Sequence, residues 1–498
     1  MAKRFDDPSS CAPDFRWALI AFLLLAVLAA AESLRAQGFD PLKQPVRSVP
    51  PERWGALRPV NPPEEPPLGD SSWWNFGSTP TSLHPFWHDV DIESGWIFAA
   101  TGRGLMIYDA LATPAHPVRR SYFYANSSTV PDWHVNDTKF YLFGVDAPAG
   151  YDGVAAVACI SNNGMLIFDT RNKEFPRLMY QDDSKAGSQV WAATYGGTHY
   201  AFYAATNNKV LIYNLSAAQN LAAIKCLDDS PASTPCKDPQ NRHVYVGRIN
   251  TQSGAGYLHG AGDYLAVSQG FLGVEIWKVN DPVNPVRVSQ LLPPGGSAGV
   301  ALWQEGTHYY LAVVQVSTAN PHNLHIYDAT CITGGGTCTP THVRTYPMTY
   351  TAPTTLLFAT FSRAGQTPFL YLGGEDQFSG GPQREFLLDV SNPAQPVDVT
   401  PQTHPGGYWG WYYYGNPTGF NWVMPRTAKF HGTYLYRAAF GLFDIHEYMG
   451  NTPPAASFSV STQSSDGRFY ASDPITFTDT STGFPTSWSW TFLPDGNP

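Results

Sequence analysis

Charge is scarce in this chain: only 14% of its 498 residues are Asp, Glu, Lys or Arg, and the formal net charge is -10. No run of Lys or Arg occurs anywhere along it. A surface of that sign repels phosphate backbones, so nucleic acid and anionic membranes are excluded as partners. Long apolar runs are equally missing. The longest, Trp17 to Ala31, falls short of the roughly 20 residues a helix needs to span a bilayer, so the sequence implies no transmembrane segment in the mature chain. Catalytic signatures are absent as well: there is no GxSxG elbow, HExxH pair, EF-hand spacing or phosphate-binding loop. The six cysteines include no CxxC, which argues against a thiolate metal site.

The Trp17 to Ala31 run follows Lys3, Arg4 and Arg16 and precedes small residues. That is the pattern of an export signal occupying residues 1–36, with cleavage after Ala36 or Ala31 and a retained N-terminal anchor as the alternative. Its removal takes four basic and four acidic residues, leaving the net charge unchanged. The expected location is therefore secreted: extracellular, cell-surface or periplasmic. Cys11 leaves with the signal. Cys226 and Cys236 bracket the polar loop CLDDSPASTPC, and Cys331 and Cys338 bracket CITGGGTC. In an oxidising compartment both pairs are expected to be local disulfides, with metal binding the alternative. Cys159, in GVAAVACI, reads as a buried free thiol.

What is plentiful is punctuation and rings: 44 Gly, 43 Pro and 14% aromatic residues point to many short strands joined by tight turns. The strands repeat. Two apolar strands joined by a turn recur seven times, as WIFAATGRGLMIYD (96–109), VAAVACISNNGMLIFD (154–169), YAFYAATNNKVLIYN (200–214), YLAVSQGFLGVEIWK (264–278), 309–328, 369–389 and YLYRAAFGLFDIHE (434–447). Their ends lie 45 to 64 residues apart, the length of one four-stranded blade with variable loops. After the second strand, proline turns recur as TPAHPV (113–118), DPVNPV (281–286) and NPAQPV (392–397). Before the first stand Gly-Thr-His-Tyr turns, which assign His199 and His308 to hairpins.

The strand ends LMIYD (105–109), LIFD (166–169) and LLD (387–389), with the turns DPVNPV and DVSNPAQPV, resemble the LVIVD-repeat β-propellers of exported bacterial proteins. The resemblance covers about residues 80–450 and implies a fold, not a chemistry. The third and fifth repeats depart from it, with LSAAQNLAA (215–223) and the Cys331 to Cys338 insert in place of the proline turn. Past Asn451, PPAASFSV, ITFTDTSTG and WSWTF resemble the start of a PKD domain, an immunoglobulin-like sandwich. Such a sandwich takes about 80 to 100 residues, so 453–498 is expected to be its first part only.

The expectation is an all-β chain: a signal peptide over 1–36, a Pro-rich linker over 37–70, a seven-bladed propeller over 71–450 and a partial PKD sandwich over 453–498. The last blade lacks room for its outer strand, so the N-terminal side is expected to supply it, within Ser71 to Thr81. For a site, His88, Asp89 and Asp91, with His134, are candidates at the channel mouth for recognition or for a divalent cation. Capping of loops is their plainer role. Trp409 and Trp411, in the run YWGWYYY, are candidates for stacking on sugars or peptides, against a plain role wedged between blades. These features imply an interaction or scaffolding protein that binds an extracellular protein or glycan through its loops. The alternative is a channel enzyme, either a polysaccharide hydrolase or lyase or a metal-dependent oxidoreductase.

Overall fold

A computed structural model describes residues 87–101, 104–124, 142–159, 164–182, 187–205, 207, 209–221, 236–315, 322–348, 356–375, 385–400, 424–440 and 442–448, with short strands at 57–59, 226–227, 458–460 and 477–479. Seven antiparallel sheets stand in a ring, and the first strand of each touches the first strand of the next until the last meets the first again. This is a seven-bladed β-propeller. We call the strands of a blade a to d from the axis outwards. The a strands are Trp87–Glu93, Leu142–Asp146, Gly187–Tyr195, Leu258–Ala261, Val300–Glu305, Leu356–Ala364 and Met424–His431, for blades 1 to 7.

The b and c strands are apolar runs because both of their faces are covered by neighbouring blades. Ile97 to Ala100 and Val154 to Ala158 are buried at every position. The core clusters run between blades; one joins Phe98 and Leu105 of blade 1 to Ala155 and Leu166 of blade 2. Shape matters where large meets small. A Cβ on Gly260 of blade 4 would lie 2.3 Å from the ring of Trp191, which leans across from blade 3.

The Asp that ends several repeats has a local cause. Asp109, Asp169, Asp328 and Asp389 each accept, through Oδ1, the N–H two residues on, which turns the chain from strand c towards strand d. In blade 3 Asn214 takes the same place and caps a short helix, Leu215–Gln219, by accepting from Ala217 N–H at 2.8 Å.

The ring closes with a strand from the N-terminal side, as the sequence implies, but a different one. Leu57–Pro59 pairs antiparallel with Leu442–Tyr448, setting Leu57 opposite Tyr448 and Pro59 opposite His446. This strand falls in the stretch read as a linker, ahead of Ser71 to Thr81, which lies outside the described residues. Proline suits it, since an outermost strand has a free edge that needs no donor.

Cys331 and Cys338 form a disulfide with Cα atoms 5.9 Å apart. Cys236 is disulfide-bonded too, whereas the side chain of Cys226 lies outside the described residues. The side chain of Cys159 is likewise outside them, on strand Val154–Cys159. In the region read as a sandwich, Phe458–Val460 and Phe477–Asp479 pair antiparallel.

Candidate functional site

Each a strand is the inner edge of its blade, so no further strand satisfies the N–H groups along that edge. Left bare, buried donors of this kind cost about 1 to 3 kcal/mol each. Side chains from the preceding blade accept them instead. Asp89 takes Val145 N–H at 3.0 Å and Asp91 takes Ala147 N–H at 2.7 Å, tying blade 1 to blade 2. Asp146 takes Ala192 N–H at 2.7 Å, Gln189 takes Leu258 N–H at 3.1 Å, and His259 Nδ1 takes Leu302 N–H at 3.3 Å. Ser362 takes Phe430 N–H at 2.7 Å, and Thr427 takes Val90 N–H at 3.2 Å across the closing seam.

One junction is built differently. Between blades 5 and 6 the corresponding residue is Trp303, 1% exposed, which stacks on Phe361 with ring centroids 5.5 Å apart.

At the closing seam a cation joins the ring. Lys429 of blade 7 donates from Nζ to Asp91 of blade 1 and lies 3.3 Å from Asp146 of blade 2, so one ammonium ties three blades together. Burial works against that charge, but the carboxylates of Asp91, Asp146 and Asp89 outweigh it and raise the lysine pKa. Burial lifts Asp89 from 3.8 to about 6. It also raises Asp146 well above the usual range, with the charge of Asp91 adding to the effect. Glu93, half-buried where blade 1 turns, accepts from Gly150 N–H at 2.7 Å, and burial together with Asp91 lifts it from 4.5 to about 8. On the other side, burial and then the charge of Lys429 lower His259 from 6.5 to about 4, so its ring stays neutral.

Of the candidates named from sequence, Asp89 and Asp91 meet in this ring, 8% and 1% exposed. Their oxygens face neighbouring blades and Lys429. His88 sits on strand Trp87–Glu93, but its side chain lies outside the described residues, as do His134, Trp409 and Trp411 altogether. Among the described residues, no three His, Cys, Asp or Glu side chains group so as to hold a metal ion. No helix among them is long and apolar enough to cross a membrane.

Sequence reading missed Glu93, Asp146, His259 and Lys429. A signal for two of them exists: Asp91, His259, Trp303, Ser362 and Lys429 each stand two residues before the end of strand a. Aligning the repeats on their glycine turns places His259, Trp303, Ser362 and Lys429 at one position, three residues before the glycine, whereas Asp91 stands four before Gly95 because Ser94 opens that turn.

The chain matches no family model and no curated protein. Among solved structures it is similar to BBS1N in complex with ARL6DN, at 11% identity over 57% of this chain and 72% of that one, with a TM-score of 0.36. The computationally designed Ika8 protein gives 8% identity over 73% and 96% of the two chains and a TM-score of 0.41. Raptor of Chaetomium thermophilum gives 10% identity over 74% and 28%, with a TM-score of 0.46.

Proposed function

We propose that this chain is an exported interaction module of the LVIVD-repeat kind, which binds an extracellular protein or glycan through a loop face, with a PKD-type segment as spacer. The observation that carries this reading is a pair of apolar loops on blade 4. Phe271 and Leu272, in the b–c turn, are 53% and 44% exposed, and Leu292, after strand d, is 69% exposed. The two loops are locked together: Ser297 N–H donates to Gly270 O at 2.8 Å and Ser297 Oγ to Gly273 O at 2.6 Å. An exposed apolar surface that is already rigid loses little entropy on binding, which is what recognition requires.

The involvement of Asp89 and Asp91 in bonds between blades supports the same reading, since neither keeps its carboxylate free for a substrate. Glu93 favours the competing reading of a channel enzyme, because a half-buried carboxyl that titrates near pH 8 suits a general acid. A thermal-shift screen of glycans, peptides and divalent metals separates the two. Binding that Phe271→Ser with Leu292→Ser abolishes, without turnover, supports an interaction module. Hydrolysis or redox turnover lost in Glu93→Gln sinks it.

A further inference from the structure

We propose that the cysteine-bearing c–d connections of blades 3 and 5 are straps over the outer strand of the preceding blade, and that oxidation keeps those strands covered. Both connections lean backwards. In blade 5, Cys338 N–H donates to Val288 O of blade 4 at 2.9 Å, and Cys338 pairs in parallel with Ser289. Ile332, from the same loop and 1% exposed, packs with Val288 and Leu291 in the core of blade 4, beside Cys338. In blade 3, Cys226–Leu227 adds a parallel fifth strand to blade 2, setting Cys226 opposite Tyr180 and Leu227 opposite Gln181. The helix that precedes it is anchored there too, since Gln219 Nε2 donates to Gly153 O of blade 2 at 2.7 Å.

In both repeats an insertion stands where blades 1, 4 and 6 have the proline turn. Among the described residues every other strand pairing is antiparallel, so two parallel pairings on preceding outer strands mark one device used twice. A d strand has an unpaired outer edge, and such an edge accepts strands from other chains unless it is covered. The strap supplies the cover, and in blade 5 the Cys331–Cys338 disulfide holds its two ends in register. A small dithiol would open it. One Cys331–Cys338 sulfur–sulfur bond breaks, both cysteines end as thiols carrying the protons of the reductant, and the reductant ends as its own disulfide. Cys331 is exposed and so within reach.

Hydrogen exchange read by mass spectrometry, on folded protein before and after treatment with dithiothreitol, tests this. Peptides over Val286–Leu291 and Arg177–Asp182 should exchange about ten-fold faster after reduction, whereas Tyr264–Ser268 should not change. The double variant Cys331→Ser, Cys338→Ser should reproduce the effect in blade 4 alone, without reductant. If that variant does not fold, the reduced wild type makes the same measurement. Faster exchange confined to the cysteine loops themselves, with both outer strands unchanged, would overturn the proposal.

Discussion

Asp91 touches two neighbours at once: it accepts the Ala147 amide of blade 2 and holds the Lys429 ammonium of blade 7. Removing it strands both. Breaking a buried ion pair by deleting one partner costs about 3 to 5 kcal/mol, and Lys429 keeps a quarter of its side chain in solvent, which reduces the loss. Asp91→Ala is therefore expected to destabilise by about 2 to 3 kcal/mol in chemical denaturation, and Asp91→Asn, which still accepts the amide, by less. Equal midpoints for wild type and Asp91→Ala would contradict this role.

The same cluster gives a signed dependence on pH. Between about pH 4.5 and 8, folded Glu93 retains a proton that the unfolded chain has released, so raising the pH favours unfolding. Asp89 acts the same way between about 4 and 6. His259 opposes it: its folded pKa is depressed, so its contribution is present above 6.5 and lost as pH falls towards 4. Asp89 and His259 offset each other at low pH, and Glu93 is left from 6.5 to 8, with Asp146 in the same direction. The melting temperature should fall between pH 6.5 and 8, and Glu93→Gln should flatten that slope. A rising or level profile for the wild type would refute the assignment.

Among elements, the turns were legible and the contacts between blades were not. The strand-end Asp and the glycine turns act within a few residues of themselves, so their spacing carries their meaning; Gly306 and Gly432 adopt φ of 59° and 61°. Asp89 and Asp91 were visible as a polar pair in an apolar strand. Their acceptor role depends on amides 56 residues away, which no local pattern reveals. Trp191 on Gly260 is another contact of this type. Gly260→Ala would drive a methyl into the indole, and overpacking of this kind costs about 1 to 3 kcal/mol. A drop in melting temperature of several degrees is expected. An unchanged value would mean that the ring moves aside freely.

For the whole molecule, closure is the event that removes the last free seam. Three residues, Leu57–Pro59, cover part of the seventh blade, while Lys429 and Thr427 bind the inner side of the same seam. Signal cleavage after Ala31 or Ala36 would leave the closing strand in place. A chain starting at residue 61 should keep the seven a strands but lose its outer closure. Size-exclusion chromatography should then show oligomers, because the uncovered strand Leu442–Tyr448 can pair with another chain. A monomer with unaltered melting would show that the inner bonds suffice.

The number of blades, the all-β class and the turn chemistry were determined by the sequence alone, because repetition and short-range hydrogen bonding are written in spacing. Which strand closes the ring, which side chains satisfy the inner edges, and why the third and fifth repeats abandon the proline turn were decided only in three dimensions. Each depends on residues brought together by the curvature of the ring: Leu57 with Tyr448, Lys429 with Asp91, and Cys338 with Ser289. Their separations along the chain carry no periodic signal. Only closure of the ring makes them neighbours.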